Sequence, residues 1–256
     1  MYKRQLQAIG LTDCRNSLFE RLHWLNSLQG TKNIVEMLHR QGRMHPSICE
    51  FVNRNYYNGV LDAVPLPHQQ EPLAFGIRPD DDRWTAFVAS TRMAFISVQA
   101  DEAEYYIKSN KREAETVAHL VHTLCQLHSR SGIPFSPCKQ IGIIVPFRAQ
   151  IAMIRKALAE RHIPDTAGIT IDTVERYQGS QRDIIIFSTT VSRPYQLPIL
   201  SEPVMTDGRE LDRKLNVALT RARKQFFMTG NETLLRNCTA YREFLDFLSK
   251  EQILRL

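Results

Sequence analysis

Four short blocks hold most of the residues whose types and spacing could do chemistry. Gln41-Gly42-Arg43-Met44-His45-Pro46 sets an arginine between a glycine and a proline, and Val145-Pro146-Phe147-Arg148-Ala149-Gln150 sets an aromatic beside a cation. Asp172-Thr173-Val174 leads into Tyr177-Gln178-Gly179-Ser180-Gln181-Arg182-Asp183, and Leu215-Asn216-Val217-Ala218-Leu219-Thr220-Arg221-Ala222-Arg223 closes on two arginines. A guanidinium is planar and permanently charged, which suits phosphate oxygens better than lysine does. A threonine hydroxyl can meet a backbone phosphate without reading sequence, an aromatic beside a cation suits bases and phosphates, and glycine lets the main chain approach a ligand closely. Glu115, His119 and His122 fall on one helix face but lack the HExxH order and a fourth partner, so a solvated face outweighs a metal site and no metal is expected. The five cysteines form no CxxC or similar zinc spacing, which fits a reducing cytosol. No G-x-x-x-x-G-K-[ST] loop occurs, and no acidic Walker B pair is recognisable.

The elements that must carry these blocks alternate between strand and helix. Strands are expected at Ile34–Leu38, Met93–Val98, Ile141–Val145, Ile169–Val174, Ile184–Thr190 and Phe226–Thr229. Helices are expected after Pro46, over residues 111–128, from about Ala149 to Arg161, along Leu211, Leu215, Ala218 and Ala222, and in the tail after Asn231. Residues 59–90 read as an irregular excursion, with Pro65, Pro67, Pro72 and Pro79 and the run Asp80–Asp82. Such alternation predicts a parallel sheet covered on both faces. Ligands then belong at the carboxyl ends of the strands, which is where the blocks are expected to lie. The 256 residues are 43% hydrophobic and 23% charged, enough for a full core without disulfides. A net charge of +6 favours polyanions only mildly, no apolar run approaches membrane-spanning length, and no signal peptide opens the chain, so a cytoplasmic location is expected.

The four blocks, in this order and spacing, resemble the second motor domain of superfamily 1B helicases, in the branch of the nonsense-mediated-decay RNA helicase and its DNA helicase-nuclease relatives. The family patterns are QYRMHP, TPY-x-x-Q, a D-T/A-V/F-x-x-x-Q-G-x-E-x-D block and LNVALTRA. The match runs from about Ser17 to Asn237, and Ser17–Leu22 is similar to the stretch that closes the family's first motor domain. The resemblance implies an α/β, RecA-like three-layer sandwich of the P-loop NTPase type, with a mostly parallel sheet and no P-loop of its own. It divides the chain into residues 1–38, a remnant of the first motor domain and linker, and 39–256, the second motor domain. It implies that Arg43 and Arg221 are catalytic arginine fingers for the γ-phosphate, with Gln41, Gln178, Gly179 and Gln181 contacting nucleotide. It places Thr173, Phe147, Arg148, Gln150 and Asn216 on the nucleic-acid track. For Phe147 alone, core packing is the stronger reading; for Thr173 and Asn216, strand packing and a solvated helix face weigh equally. ATP and Mg²⁺ would be bound jointly with an upstream P-loop domain of the same protein, so the chain by itself is expected to hydrolyse little. The partner implied is single-stranded nucleic acid, with DNA favoured because the long segment Ser192–Arg209 is similar to bacterial members.

Two positions depart from the pattern. The family's tyrosine that stacks on adenine is Gly42, and the glutamate after the Gln-Gly pair is Gln181. Together with the missing P-loop they favour the competing expectation, a degenerate RecA-like module that binds nucleic acid or protein. The arginines at 43 and 221 argue against it, since a binding module has no use for two γ-phosphate contacts.

Overall fold

The computed structural model describes residues 36–99, 108–201, 203–206 and 208–256, together with Leu18, Phe19, Leu22 and Asn26. The chain divides into two units, Met1–His39 and Arg40–Leu256. In the first, residues 18, 19, 22 and 26 are helical and 36–39 carry no regular structure; the rest of that unit, including half of Ser17–Leu22, lies outside the described residues.

The second unit is built on a six-stranded sheet in the order β10-β3-β9-β6-β4-β5. The strands are β3 (Met93–Ser97), β4 (Ile141–Val145), β5 (Thr170–Thr173), β6 (Arg182–Ser188), β9 (Ala222–Gly230) and β10 (Ile253–Arg255), and all their pairings are parallel. Two small outliers are β1 (Arg40–Gln41) with β2 (Asp62–Ala63), and the antiparallel hairpin β7 (Pro203–Thr206) with β8 (Arg209–Asp212).

Alternate strand residues enter two separate cores. On one face Ala94, Ile96, Ile141, Ile143, Ile184, Ile186 and Phe227 pack under α3 (Arg83–Ser90), α4 (Lys111–Arg130) and α6 (Arg148–Glu160). On the other, Met93, Phe95, Ile144, Ile185, Phe187, Phe226 and Met228 pack under α1 (Pro46–Tyr56), α8 (Arg213–Leu219) and α10 (Thr239–Phe247). The remaining short helices are α2 (Pro67–Gln70), α5 (Pro137–Gln140), α7 (Leu197–Leu200) and α9 (Glu232–Leu235). A parallel sheet buried on both faces is the arrangement that unbroken runs such as Ile141–Val145 require, and the result is the RecA-like three-layer α/β fold.

Three expectations need correction. The described part of Ile34–Leu38 is not strand, and Leu38 is 84% exposed; an apolar run without a neighbour to pair with gains nothing from extending. Residues 59–90 are not wholly irregular, because α3 forms there, capped by Asp82 accepting from Thr85 N at 2.6 Å. Leu211 and Ala222 belong to β8 and β9, so α8 is shorter than the expected stripe.

Between β5 and β6 the chain crosses one face of the sheet in residues 174–181. Tyr177 lies across Gly142, with its hydroxyl donating to Thr170 O at 2.9 Å, and a Cβ on Gly142 would collide with that hydroxyl. Gly142→Ala is therefore expected to destabilise the domain by about 1–3 kcal/mol, read as a lower midpoint in denaturant with an unchanged slope.

Candidate functional site

The Gln41–Pro46 loop is held from several sides before it offers any side chain to solvent. Gln41 Oε1 accepts from Arg43 N and Met44 N, and Gln41 Nε2 donates to Met44 O. Gln69 on α2 donates to Met44 O at 2.8 Å, the His68 ring meets Arg43 O at 3.0 Å, and His45 N donates to Arg223 O. Gln41 thus spends its amide on the loop. His68 and Gln69 are support residues that motif reading missed, and the one sequence signal for them was a glutamine and a histidine amid prolines. Gly42 has no positive φ, and an added Cβ would meet only the flexible end of Leu66 at 3.1 Å.

What the loop presents is Arg43. Its Nε donates to Gln181 Oε1 at 2.9 Å and its Nη1 to Thr220 O at 3.2 Å. Arg221 shares Thr220 and reaches the neighbour of Gln181, with Nη2 to Thr220 Oγ1 at 3.1 Å, Nη1 to Ser180 O at 3.4 Å and Nε to Val217 O at 3.1 Å. The two guanidinium groups therefore converge over Thr220 and the Ser180–Gln181 turn. Among the described residues no carboxylate pairs with either, whereas Arg223, two positions on, is neutralised by Asp183 at 2.9 Å. Burial, and next the charge of Arg43, pull the Arg221 pKa below the usual arginine range. Two half-buried cations held together without a counter-ion form a receptor for an anion, because a bound anion relieves both their desolvation and their repulsion.

Gly179 sits in this turn at φ +88°, a backbone conformation that glycine adopts freely, with nothing within 4 Å of an added Cβ. Gln178 beside it is exposed. These residues precede β6, and Arg221 directly precedes β9, so the arginine cluster lies at the amino ends of the central strands. The expectation that all four blocks follow strands is corrected here: in the arginine block a helix feeds a strand, which puts the junction at the strand's start.

Thr173, Phe147, Arg148 and Gln150 lie at the opposite, carboxyl ends. Thr173 closes β5, half-buried, and Arg148 opens α6 and is exposed. Phe147 is only 6% exposed, which leaves no free ring face for stacking. Gln150 is fully buried, bonded to Asn110 N, Asn110 O and Ser188 Oγ, so a surface contact for it is corrected to an internal latch between α6 and α4. Asn216 is half-buried, and its Oδ1 has no hydrogen-bond partner among the described residues. Residues 174–181 physically join the two ends. Glu115, His119 and His122 do not converge: Glu115 pairs with Lys111, and the His119 ring stacks on Trp84. Among the described residues no group of three His, Cys, Asp or Glu side chains is placed to hold a metal, and no helix is long and apolar enough to cross a membrane.

The domain is thus a parallel three-layer α/β fold with a cationic cluster at the strand starts and Thr173 and Arg148 at the strand ends. The AAA domain family AAA_12 matches residues 14–233, and the chain belongs to it, as a C-terminal motor domain of superfamily 1B helicases. It is 33% identical to the Regulator of nonsense transcripts 1 homolog of Arabidopsis thaliana over 86% of this chain and 16% of that protein. It is 30% identical to the 3'-5' exoribonuclease HELZ2 of Homo sapiens over 98% of this chain and 8% of that protein. It is 27% identical to the DNA replication ATP-dependent helicase/nuclease DNA2 of Bos taurus over 98% of this chain and 23% of that protein. The chain thus spans less than a quarter of the length of each of these relatives.

Proposed function

We propose that this chain is the second half of an ATP-driven motor that moves along single-stranded nucleic acid, with DNA as the favoured strand. The observation that carries the reading is the convergence of Arg43 and Arg221, with no paired carboxylate among the described residues, on Thr220 and the Ser180–Gln181 turn. Mg-ATP held on a P-loop domain of the same protein would supply the γ-phosphoryl group and the metal. This chain's residues fit that group: the two guanidinium groups neutralise phosphate charge from the side opposite the P-loop. Gln181 orients Arg43, Gln41 fixes the loop that presents it, and Gln178 and Gly179 border the same anion. At the other end Thr173 and Arg148 grip sugar-phosphate backbone. Residues 174–181 carry a change at one end to the other, and so couple nucleotide to strand.

The test is ATP turnover by the protein that carries this chain behind its P-loop domain, with and without single-stranded DNA or RNA. Turnover raised by a strand, more by DNA than by RNA, is expected. Turnover indifferent to both would refute the motor reading, and equal stimulation by both would remove the preference for DNA.

A further inference from the structure

The segment between β6 and α8 belongs to neither the arginine cluster nor the strand contacts assigned above, yet it is built with care. Residues Pro194–Gln196 form a single 3₁₀ turn that runs directly into α7. Gln196 is 1% exposed, and its Oε1 accepts from Ser192 N and Arg193 N, both at 2.7 Å. Leu200, which closes α7, is buried. Pinned at both ends and stiffened by Pro194 and Pro198, the turn holds Tyr195 at 61% exposed and Ile199, one helical turn on, at 46% exposed. An aromatic and an aliphatic side chain stand on one outward face of a rigid support, rather than on a loose loop.

Hydrogen bonds on both sides fix where that face lies. On one side Ser192 Oγ accepts from Asn110 Nδ2 at 3.4 Å, and the main chain of Asn110 is tied to Gln150 on the first turn of α6, the helix that Arg148 opens. On the other side Lys214 Nζ donates to Ile199 O at 3.0 Å and pairs with Glu175 at 3.7 Å, two residues beyond Thr173 in the segment that leaves β5. The Tyr195 turn is thus bonded on one side to the region of Arg148 and on the other to that of Thr173, at the carboxyl end of the sheet.

Resting on the motor reading above, we infer that Tyr195, supported by Ile199, is a base-stacking platform of the single-strand track. A phosphate contact fixes a strand but leaves its bases free to swing. A rigid aromatic face between two backbone contacts captures one base without reading its identity, since every base has a π-face. A tyrosine also spends little conformational entropy in doing so, having two side-chain torsions to fix.

The test uses the whole chain and a fluorescein-labelled oligo(dT), followed by anisotropy across a salt series. Tyr195→Ala is expected to weaken binding about tenfold with the slope of log K against log salt unchanged, because stacking releases no counter-ion. Tyr195→Phe is expected to bind like the parent. Arg148→Ala is the contrast, and should lower the slope by about one phosphate. Parent-like binding by Tyr195→Ala, or a loss in Tyr195→Phe equal to that in Tyr195→Ala, would overturn the stacking role while leaving the motor reading in place. A parent chain that does not bind the oligonucleotide at all would overturn the strand track, and the platform with it. Because Tyr195 is exposed, none of these substitutions threatens the fold.

Discussion

Replacing Arg221 by alanine is expected to lower strand-stimulated ATP turnover by about a hundredfold or more in the protein that carries this chain behind its P-loop domain. The expectation follows from what Arg221 lacks. Its hydrogen-bond partners are neutral oxygens of Val217, Thr220 and Ser180, and the charge that acts on it most is another cation, Arg43. A cation so placed has its electrostatic work still to do, on an anion that arrives from outside the domain. Lysine should not restore the rate, because a single ammonium cannot hold Thr220 and Ser180 and still face the ligand as a fork. The loss should fall mainly on kcat rather than on KM for ATP, the sign of a contact strongest in the transition state. Arg223→Ala is the informative neighbour: its guanidinium is already paired with Asp183, so it should change turnover far less.

The second large effect concerns Glu113, which is completely buried on α4 beneath the carboxyl ends of β6 and β9. It accepts from Ser188 Oγ and Thr229 Oγ1 at 2.9 Å and from Thr190 N at 3.0 Å, and no cation is among these partners. Burial outweighs those hydrogen bonds and pushes its carboxyl up from 4.5 to about 7. The folded protein therefore keeps a proton that the unfolded chain releases above about pH 4.5. The stability this group contributes is complete below that pH and is lost as pH rises through about 7, an effect of about 3 kcal/mol. His45 runs the other way: burial first, then the charges of Arg92 and His68, lower its ring to about 4, so its contribution is present above 6.5 and lost as pH falls. The two are separated by comparing the parent with Glu113→Gln in thermal unfolding from pH 4 to pH 8. The variant should match the parent at the acid end and gain on it through neutrality; parallel curves would show that Glu113 does not titrate in this window.

Much of this architecture could be read from residue order because the physics was local. Ile141–Val145 emerged at its true bounds, since a strand buried on both faces must be apolar throughout. β10 was overlooked because an edge strand of three residues gives no periodicity to detect, and α3 because four prolines and three aspartates surround a helix that Asp82 caps. The pairing of Arg43 with Arg221 came from motif order, but what aims Arg43 did not: His68 and Gln69 act across more than twenty residues, through main-chain oxygens that no pattern displays. Gln150 was misread although its position held the answer. It shares the stripe of Ile154, Ala157 and Leu158, the buried face of α6, and a polar residue on such a stripe is a core latch before it is a ligand contact.

The central claim, that Arg43 and Arg221 act together on one anion, is tested most directly by a double-mutant cycle on turnover: parent, Arg43→Ala, Arg221→Ala and the pair. Groups that act as a unit are strongly non-additive. The account predicts that the double variant loses about as much as the worse single one. Losses that simply multiply would place the two arginines at separate tasks, and single variants as active as the parent would contradict the account outright.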